Sequence, residues 1–361
     1  MRLLIIRTSA MGDVALTAPV LRGMRNQYPG VELNFVTRAP FSAFFSSIKG
    51  LNLIIPDFRR RHKGIAGLIR LFRDIHENGP FDHVIDLHDV LRTKFLRLLF
   101  MLNGEPVKII DKGRREKRML IKGVLKKQLK HSVERYCDVF SEAGFDITLP
   151  EGPWLLPSED SAQSAADIVG KEPDLNIGIA PYAKHDLKLW PEKYMENLLG
   201  MIAERRKVRF FLFGGPEDKD KLEELKKKVQ NSIDLSGKLT LDEELAVMRR
   251  LDFMISMDSA NMHMAALTGT RVISIWGATD PLGGFGAWGQ PEDYFIRIPV
   301  EELTCRPCTV YGKGECWRGD HACMEWLTPE MVLDSIKKTG LLKNGPVVLK
   351  DSPFDGGLGD V

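Results

Sequence analysis

Residues 253–279 read FMISMDSANMHMAALTGTRVISIWGAT. An apolar strand runs into Asp258, a helix starts at once with Ser259, and His263 follows one turn later. Where a strand feeds straight into a helix, the first backbone N–H groups lack intrahelical partners and point into the crevice. With the helix dipole they form a seat for a phosphate or diphosphate. The plainer reading makes Ser259 a helix cap and His263 a satisfied, partly buried histidine. The start of the chain repeats the arrangement. There the strand Arg2–Arg7 leads through Thr8-Ser9-Ala10-Met11-Gly12-Asp13 into an apolar-periodic helix.

Between these two units strands and helices alternate. Strands are expected at 31–37, 53–55, 82–87 and 107–111, with helices near 40–48, 65–78 and 91–102. After the Pro-containing stretch 149–157 the pattern restarts, with strands at 175–180, 208–213, 253–257 and 272–276. A terminal helix is expected at 329–340. Such alternation gives a parallel sheet covered on both faces. The expected class is α/β, with two facing Rossmann-like domains, residues 1–160 and 161–345, joined near 149–170. A Gly-, Pro- and Asp-rich tail over 346–361 reads as loosely ordered. At 361 residues the chain suits two domains of common size. Ligands of open parallel sheets bind beyond the carboxyl ends of the strands. The Ser9–Asp13 loop and the Asp258–His263 turn should therefore meet across one cleft.

Composition is that of a soluble globular protein, with 43% hydrophobic and 28% charged residues. The first apolar run is too short for a signal peptide, and no stretch reaches the roughly 20 residues of a membrane span. A cytoplasmic location is expected. The net charge of +2 hides an asymmetry, because residues 108–130 carry ten Lys/Arg against Asp111 and Glu116. Arg59-Arg60-Arg61-His62-Lys63 adds a second basic run. Leu120, Ile121, Val124, Leu125 and Leu129 recur at helical spacing, so one long basic helix is expected there. It is either a solvated face or a patch for an anionic partner. No nucleic-acid module accompanies it, which favours an acidic small molecule or a lipid headgroup.

Asp13 either caps a helix or stands at the cleft as a general base for an attacking hydroxyl. The dinucleotide fingerprint fails here, since TSAMGDVA has one glycine where three are required. In the second half, Lys188 precedes a Trp190-Pro191 helix start and can bring an ammonium to a diphosphate; solvent exposure is the plainer role. Glu217 and Asp218 follow the turn Gly214-Gly215-Pro216 and suit ribose hydroxyls.

Together RTSAMGDVALTAPVLRGMRNQYP (7–29), KLWPEKY (188–194) and DSANMHMAALTGTRVISIWGATDP (258–281) resemble glycosyltransferase family 9, the lipopolysaccharide heptosyltransferases. The resemblance implies a GT-B fold and transfer of heptose from ADP-heptose to the lipopolysaccharide inner core, with inversion and no required metal. It implies that Asp13 is the catalytic base. On the donor side it implies Lys188 at the phosphates, Asp258 at the sugar hydroxyls, Ser259, Ala260 and His263 at the diphosphate, and Glu217 or Asp218 at the ribose. The acceptor, an anionic lipid A–Kdo type molecule, is assigned to Ser9, Met11, Gly12, Arg59, Arg60, Arg114 and Arg115. Peripheral contact with the inner face of the membrane follows. The sequence departs from the family in one respect: Ala260 stands where glycine is usual, adding a methyl group where backbone approaches phosphate. Lys184 adds a charge where some members carry a neutral hydroxyl residue. Other readings of the same pattern are a family 9 transferase with another sugar donor, a sugar-nucleotide epimerase of GT-B type, or a non-catalytic glycolipid-binding module.

Cys305, Cys308, Cys316 and Cys323 crowd one stretch, with His321 beside them. Two readings stand: a tetrahedral structural zinc opened by C-x-x-C, or reduced thiols in a packed loop. The second pair lacks the compact spacing, and disulfides do not suit a reducing compartment.

Overall fold

The computed structural model describes residues 1–77, 79–170 and 175–343. Residues 344–361, which include the expected tail, lie outside the described residues. Two parallel sheets follow one another along the chain. The first has strands β1 (Arg2–Ile6), β2 (Glu32–Val36), β3 (Leu51–Ile54), β4 (His83–Asp86) and β5 (Val107–Ile109), in the order β3-β2-β1-β4-β5. The second has β6 (Leu175–Ala180), β7 (Val208–Leu212), β8 (Ser232–Asp234), β9 (Phe253–Met257), β10 (Val272–Ile275) and β11 (Phe295–Ile296), in the order β11-β10-β9-β6-β7-β8. Every pairing is parallel. Both orders reverse direction once, between β1 and β4 and between β6 and β9, which leaves a crevice at each switch point.

The strands are β-branched and leucine-rich runs without alternation because helices cover both faces. Leu3, Leu4 and Ile5 of β1 and all of β9 are fully or almost fully buried. β8 and β11 escape the sequence reading: each has only two or three residues, too few to show a period.

The long basic helix is not formed. Helix covers only Arg114–Ile121, and Gly123 follows in a left-handed conformation. That geometry ends a helix, since it satisfies the last carbonyls but cannot propagate. Beyond it the chain crosses to the second sheet's domain. Leu129 N–H donates to the Leu282 carbonyl and Ser132 N–H to that of Gly284, at 2.9 and 2.8 Å. Gly284 has φ +81°, and a Cβ there would stand 2.4 Å from the Lys130 carbonyl oxygen. Only glycine permits this close approach.

Candidate functional site

The loop after β1 and the loop after β4 share the first switch point, and their side chains interlock. Arg7, buried at the end of β1, pairs with Asp13 at 2.6 Å and donates to the Leu87 carbonyl. Tyr136 Oη donates to the Asp13 carbonyl at 3.1 Å. Asp13 keeps 42% of its side chain exposed on the cleft side. Burial by itself would raise the Asp13 carboxyl, but Arg7, and to a lesser degree His263 and the Ala10 N–H, hold it below the usual range. Asp13 is therefore an ionised carboxylate facing a cleft, the state a general base requires.

His88, at the end of β4, places Nδ1 3.2 Å from Thr8 Oγ1 and Nε2 3.0 Å from Ser9 Oγ. Burial, then Arg7 and Lys112, push its pKa down to about 3, so the ring is neutral. Asp86 accepts from the His88 and Asp89 N–H groups, both at 2.9 Å. Asp89 in turn holds Arg97 and Arg114, at 3.0 and 2.7 Å. Sequence reasoning missed Arg7, His88 and Tyr136. The traces were there: a charge closing an apolar strand at Arg7, and polar residues ending the strand His83–Asp86 as LHD.

At the second switch point, Lys188 Nζ pairs with Asp258 Oδ2 at 2.8 Å, and Thr279 Oγ1 donates to the same oxygen at 2.8 Å. Neither charge is much exposed, 14% for Lys188 and 6% for Asp258. Ser259 precedes the helix Ala260–Leu267 in extended conformation but makes no capping bond; its hydroxyl lies 3.3 Å from Ser256 Oγ. The helix-cap role is thus not the one Ser259 fills, and the helix start keeps its donors. His263 Nδ1 is buried without a hydrogen-bond partner among the described residues. Burial, with Lys188, lowers the His263 pKa against the opposing pull of Asp258 and Asp13.

The two units meet as the topology predicts. The short helix Met11–Ala15 packs on the helix Ala260–Leu267. A Cβ on Gly12 would stand 2.7 Å from His263 Cδ2 and 3.5 Å from the Ala260 Cα. Gly12 is therefore a point of close approach between the two halves, buried against His263. Met11 packs partly against the core. Ser9 stays half-buried on His88, and Arg59, Arg60 and Arg115 are exposed. Arg114 is exposed too, but tied to Asp89. Lys117 is not part of an open patch. It is buried over the Phe285 ring, and burial, then Arg135, lowers its pKa to about 8. In the acidic turn Asp218 accepts from the Gly215 N–H at 3.0 Å, which leaves Glu217 exposed.

The four clustered cysteines and His321 line one pocket behind Leu187 and Ala278. Among the described residues, no three His, Cys, Asp or Glu side chains are placed to hold a metal ion. Burial raises the thiols of Cys308 and Cys323, the latter to about 11, so both are protonated.

The profile of "Glycosyltransferase family 9 (heptosyltransferase)" matches residues 68–312. The chain belongs to glycosyltransferase family 9. Lipopolysaccharide heptosyltransferase 1 of Escherichia coli is 25% identical over 321 residues, 84% of this chain and 95% of that one. Lipooligosaccharide heptosyltransferase 2 of Campylobacter jejuni is 21% identical over 94% of this chain and 99% of its own. Among solved structures, a family 9 glycosyltransferase from Veillonella parvula covers 94% of this chain and 97% of its own, with a TM-score of 0.74 and 21% identity. An Escherichia coli heptosyltransferase solved with ADP-2-deoxy-2-fluoro heptose covers 94% and 100%, with a TM-score of 0.65 and 22% identity. The two facing sheets are thus the GT-B arrangement, and this family 9 member is a glycosyltransferase.

Its Arg7–Asp13 pair makes a pH prediction. With Asp13 as the base proposed below, turnover falls as pH drops through its pKa, which Arg7 holds below the ordinary aspartate range. In Arg7→Met the burial effect is left unopposed by that cation. The acid limb of a kcat/KM profile should shift to higher pH. An unmoved limb would show that Arg7 does not set the ionisation of Asp13.

Proposed function

We propose that this protein transfers a heptose from ADP-heptose to the inner core of lipopolysaccharide, with inversion at the anomeric carbon. The observation that carries the reading is the juxtaposition of an ionised Asp13 and the Ser259–His263 helix start, joined through the Gly12–His263 contact. The acceptor hydroxyl attacks the anomeric carbon, the bond from that carbon to the diphosphate oxygen breaks, ADP leaves, and the hydroxyl proton passes to Asp13. Negative charge grows on the departing diphosphate. Lys188 and the uncapped N–H groups before His263 meet it there. Asp258, held by Thr279 when Lys188 turns to phosphate, is left to accept sugar hydroxyls. Glu217 takes the ribose. Residues 1–160 form the acceptor half, with Ser9, Met11, Gly12, Arg59, Arg60, Arg114 and Arg115, and residues 161–345 the donor half. The work is done at the cytoplasmic face of the membrane.

The test incubates the protein with ADP-heptose and a deacylated Kdo-bearing acceptor, following ADP release and the acceptor's mass. A gain of one heptose per ADP is expected. Release of ADP only with a different ADP-sugar would establish another donor, a reading that Ala260 in place of the family glycine favours. Turnover of a nucleotide sugar without any acceptor would mark an epimerase and overturn the proposal.

Arg115 and Arg118 are the exposed cations of the helix Arg114–Ile121 that make no ion pair among the described residues. Replacing both by alanine should raise KM for the anionic acceptor about tenfold and spare ADP affinity. The wild-type KM should rise with salt, since such attraction is screened over about 8–10 Å. Unchanged acceptor kinetics would return this face to plain solvation.

A further inference from the structure

The helix Leu91–Leu102 (LRTKFLRLLFML) carries two apolar stripes where a globular protein needs one. Its inner stripe, Leu96 and Phe100 with Thr93, is buried against the first sheet. On the opposite side Leu91, Leu98 and Leu102 recur seven and four residues apart and are 86%, 48% and 76% exposed. Met101 beside them is 55% exposed. Successive residues turn by about 100°, so these three leucines fall within one narrow strip of the helix surface. Single exposed apolar residues need no explanation; an aligned outward stripe does.

The helix that carries the stripe is itself basic. This helix contains Arg92, Lys94 and Arg97 and no acidic residue. Arg92 and Lys94 are exposed on either flank, and the Arg92 guanidinium lies 3.9 Å over the Phe58 ring, next to the exposed Arg59, Arg60 and Lys63. The neighbouring helix Gly64–His76 adds exposed Arg70 and, at its start, Ile65, which is 66% exposed. The nearest acid on the helix's own approach, Asp89, is buried and pairs with Arg97 and Arg114, and with Lys94 at 3.9 Å, which leaves Lys94 46% exposed. Leucines on the outer line with arginine and lysine beside them are the chemistry of an interfacial helix on an anionic bilayer.

Position agrees with purpose. Asp89, two residues before Leu91, accepts from Arg114, and His88 holds Ser9. The stripe therefore begins beside the acceptor half of the cleft and runs away from it. We infer that the outward face of the helix Leu91–Leu102, with Arg92, Lys94 and the Arg59–Lys63 loop, docks this enzyme on an anionic lipid bilayer. The inference rests on the lipid-linked acceptor proposed above. Among the described residues no helix is long and apolar enough to cross a membrane, so attachment here is by a surface.

The full chain is sedimented with sucrose-loaded vesicles of phosphatidylglycerol and phosphatidylethanolamine, and separately with phosphatidylcholine alone. Wild type should partition to the anionic vesicles, lose most of that binding in high salt, and bind phosphatidylcholine weakly. The triple variant Leu91→Gln/Leu98→Gln/Leu102→Gln should partition about tenfold less while keeping its melting temperature. Should the triple variant be unstable, Leu98→Gln alone, with a several-fold loss, decides the matter. Turnover on the deacylated, water-soluble acceptor should be unchanged in both variants. Equal partition of wild type and variants, or no vesicle binding by either, overturns the inference. So does a wild-type dimer in light scattering that the triple variant dissolves, which would assign the stripe to a second copy of the chain. Absence of heptose transfer by wild type would overturn the heptose reading proposed above, while partition continues to decide the docking.

Discussion

Asp13→Asn should leave the fold and ADP affinity nearly intact while heptose transfer falls by about 10²–10⁴-fold, the usual contribution of a positioned general base. The amide keeps the shape of the side chain and one acceptor for Arg7, which now sits 2.6 Å away. It loses the ability to take the proton of the attacking hydroxyl. Because Asp13 lies on the short helix that touches His263, a variant of altered shape would disturb the domain contact as well, and asparagine avoids this. The measurement is single-turnover transfer at saturating donor and acceptor, with ADP binding by calorimetry as the control. Comparable rates for variant and wild type would remove Asp13 from the chemistry.

Lys188→Ala should lower ADP affinity and cut turnover by about 10²–10³-fold, the scale of losing one charge-stabilising donor at a reacting oxygen. The loss should be larger in kcat than in ADP affinity, because charge on the diphosphate is greatest as the glycosidic bond breaks. The same substitution leaves Asp258, 6% exposed, without its cation. Removing one partner of a buried pair costs about 3–5 kcal/mol, so part of the observed loss would be instability. Lys188→Met separates the effects in part, since it keeps the stem that Gly312 packs against. Lys188→Met/Asp258→Asn should recover melting temperature but not turnover. If stability and activity return together, Lys188 is a structural partner of Asp258 and not a donor-binding residue.

The basic segment over 108–130 shows how far local pattern reaches. Its leucine spacing is helical, yet Gly123 takes φ +69° and the chain leaves to hydrogen-bond Leu282 and Gly284. A hydrophobic period need not mark one helix face: Leu120 is buried on the short helix, Leu129 at the domain crossing, and Val124 is 67% exposed. Lys117 makes the same point for charge: counted with a basic patch, it lies under Phe285 at the contact between the domains. The clustered cysteines are close in sequence and line one pocket, but proximity along the chain did not place three of them around one point.

The sequence by itself determined the alternation of strands and helices and the two strand–turn–helix units. Those properties are written in apolar runs, turn residues and periods that act over a few residues. It also singled out Asp13, Lys188, Asp258 and His263 as the groups whose chemistry suits the proposed transfer. Only the tertiary structure decided what holds them. Arg7 meets Asp13 across a loop, His88 reaches Ser9 from a strand seventy-nine residues on, and Thr279 reaches Asp258 from the next strand's end. That the second half rests on Gly12 through His263 is likewise a matter of tertiary contact. Partners far apart in sequence are selected by sheet order and domain contact, and no local period carries that information.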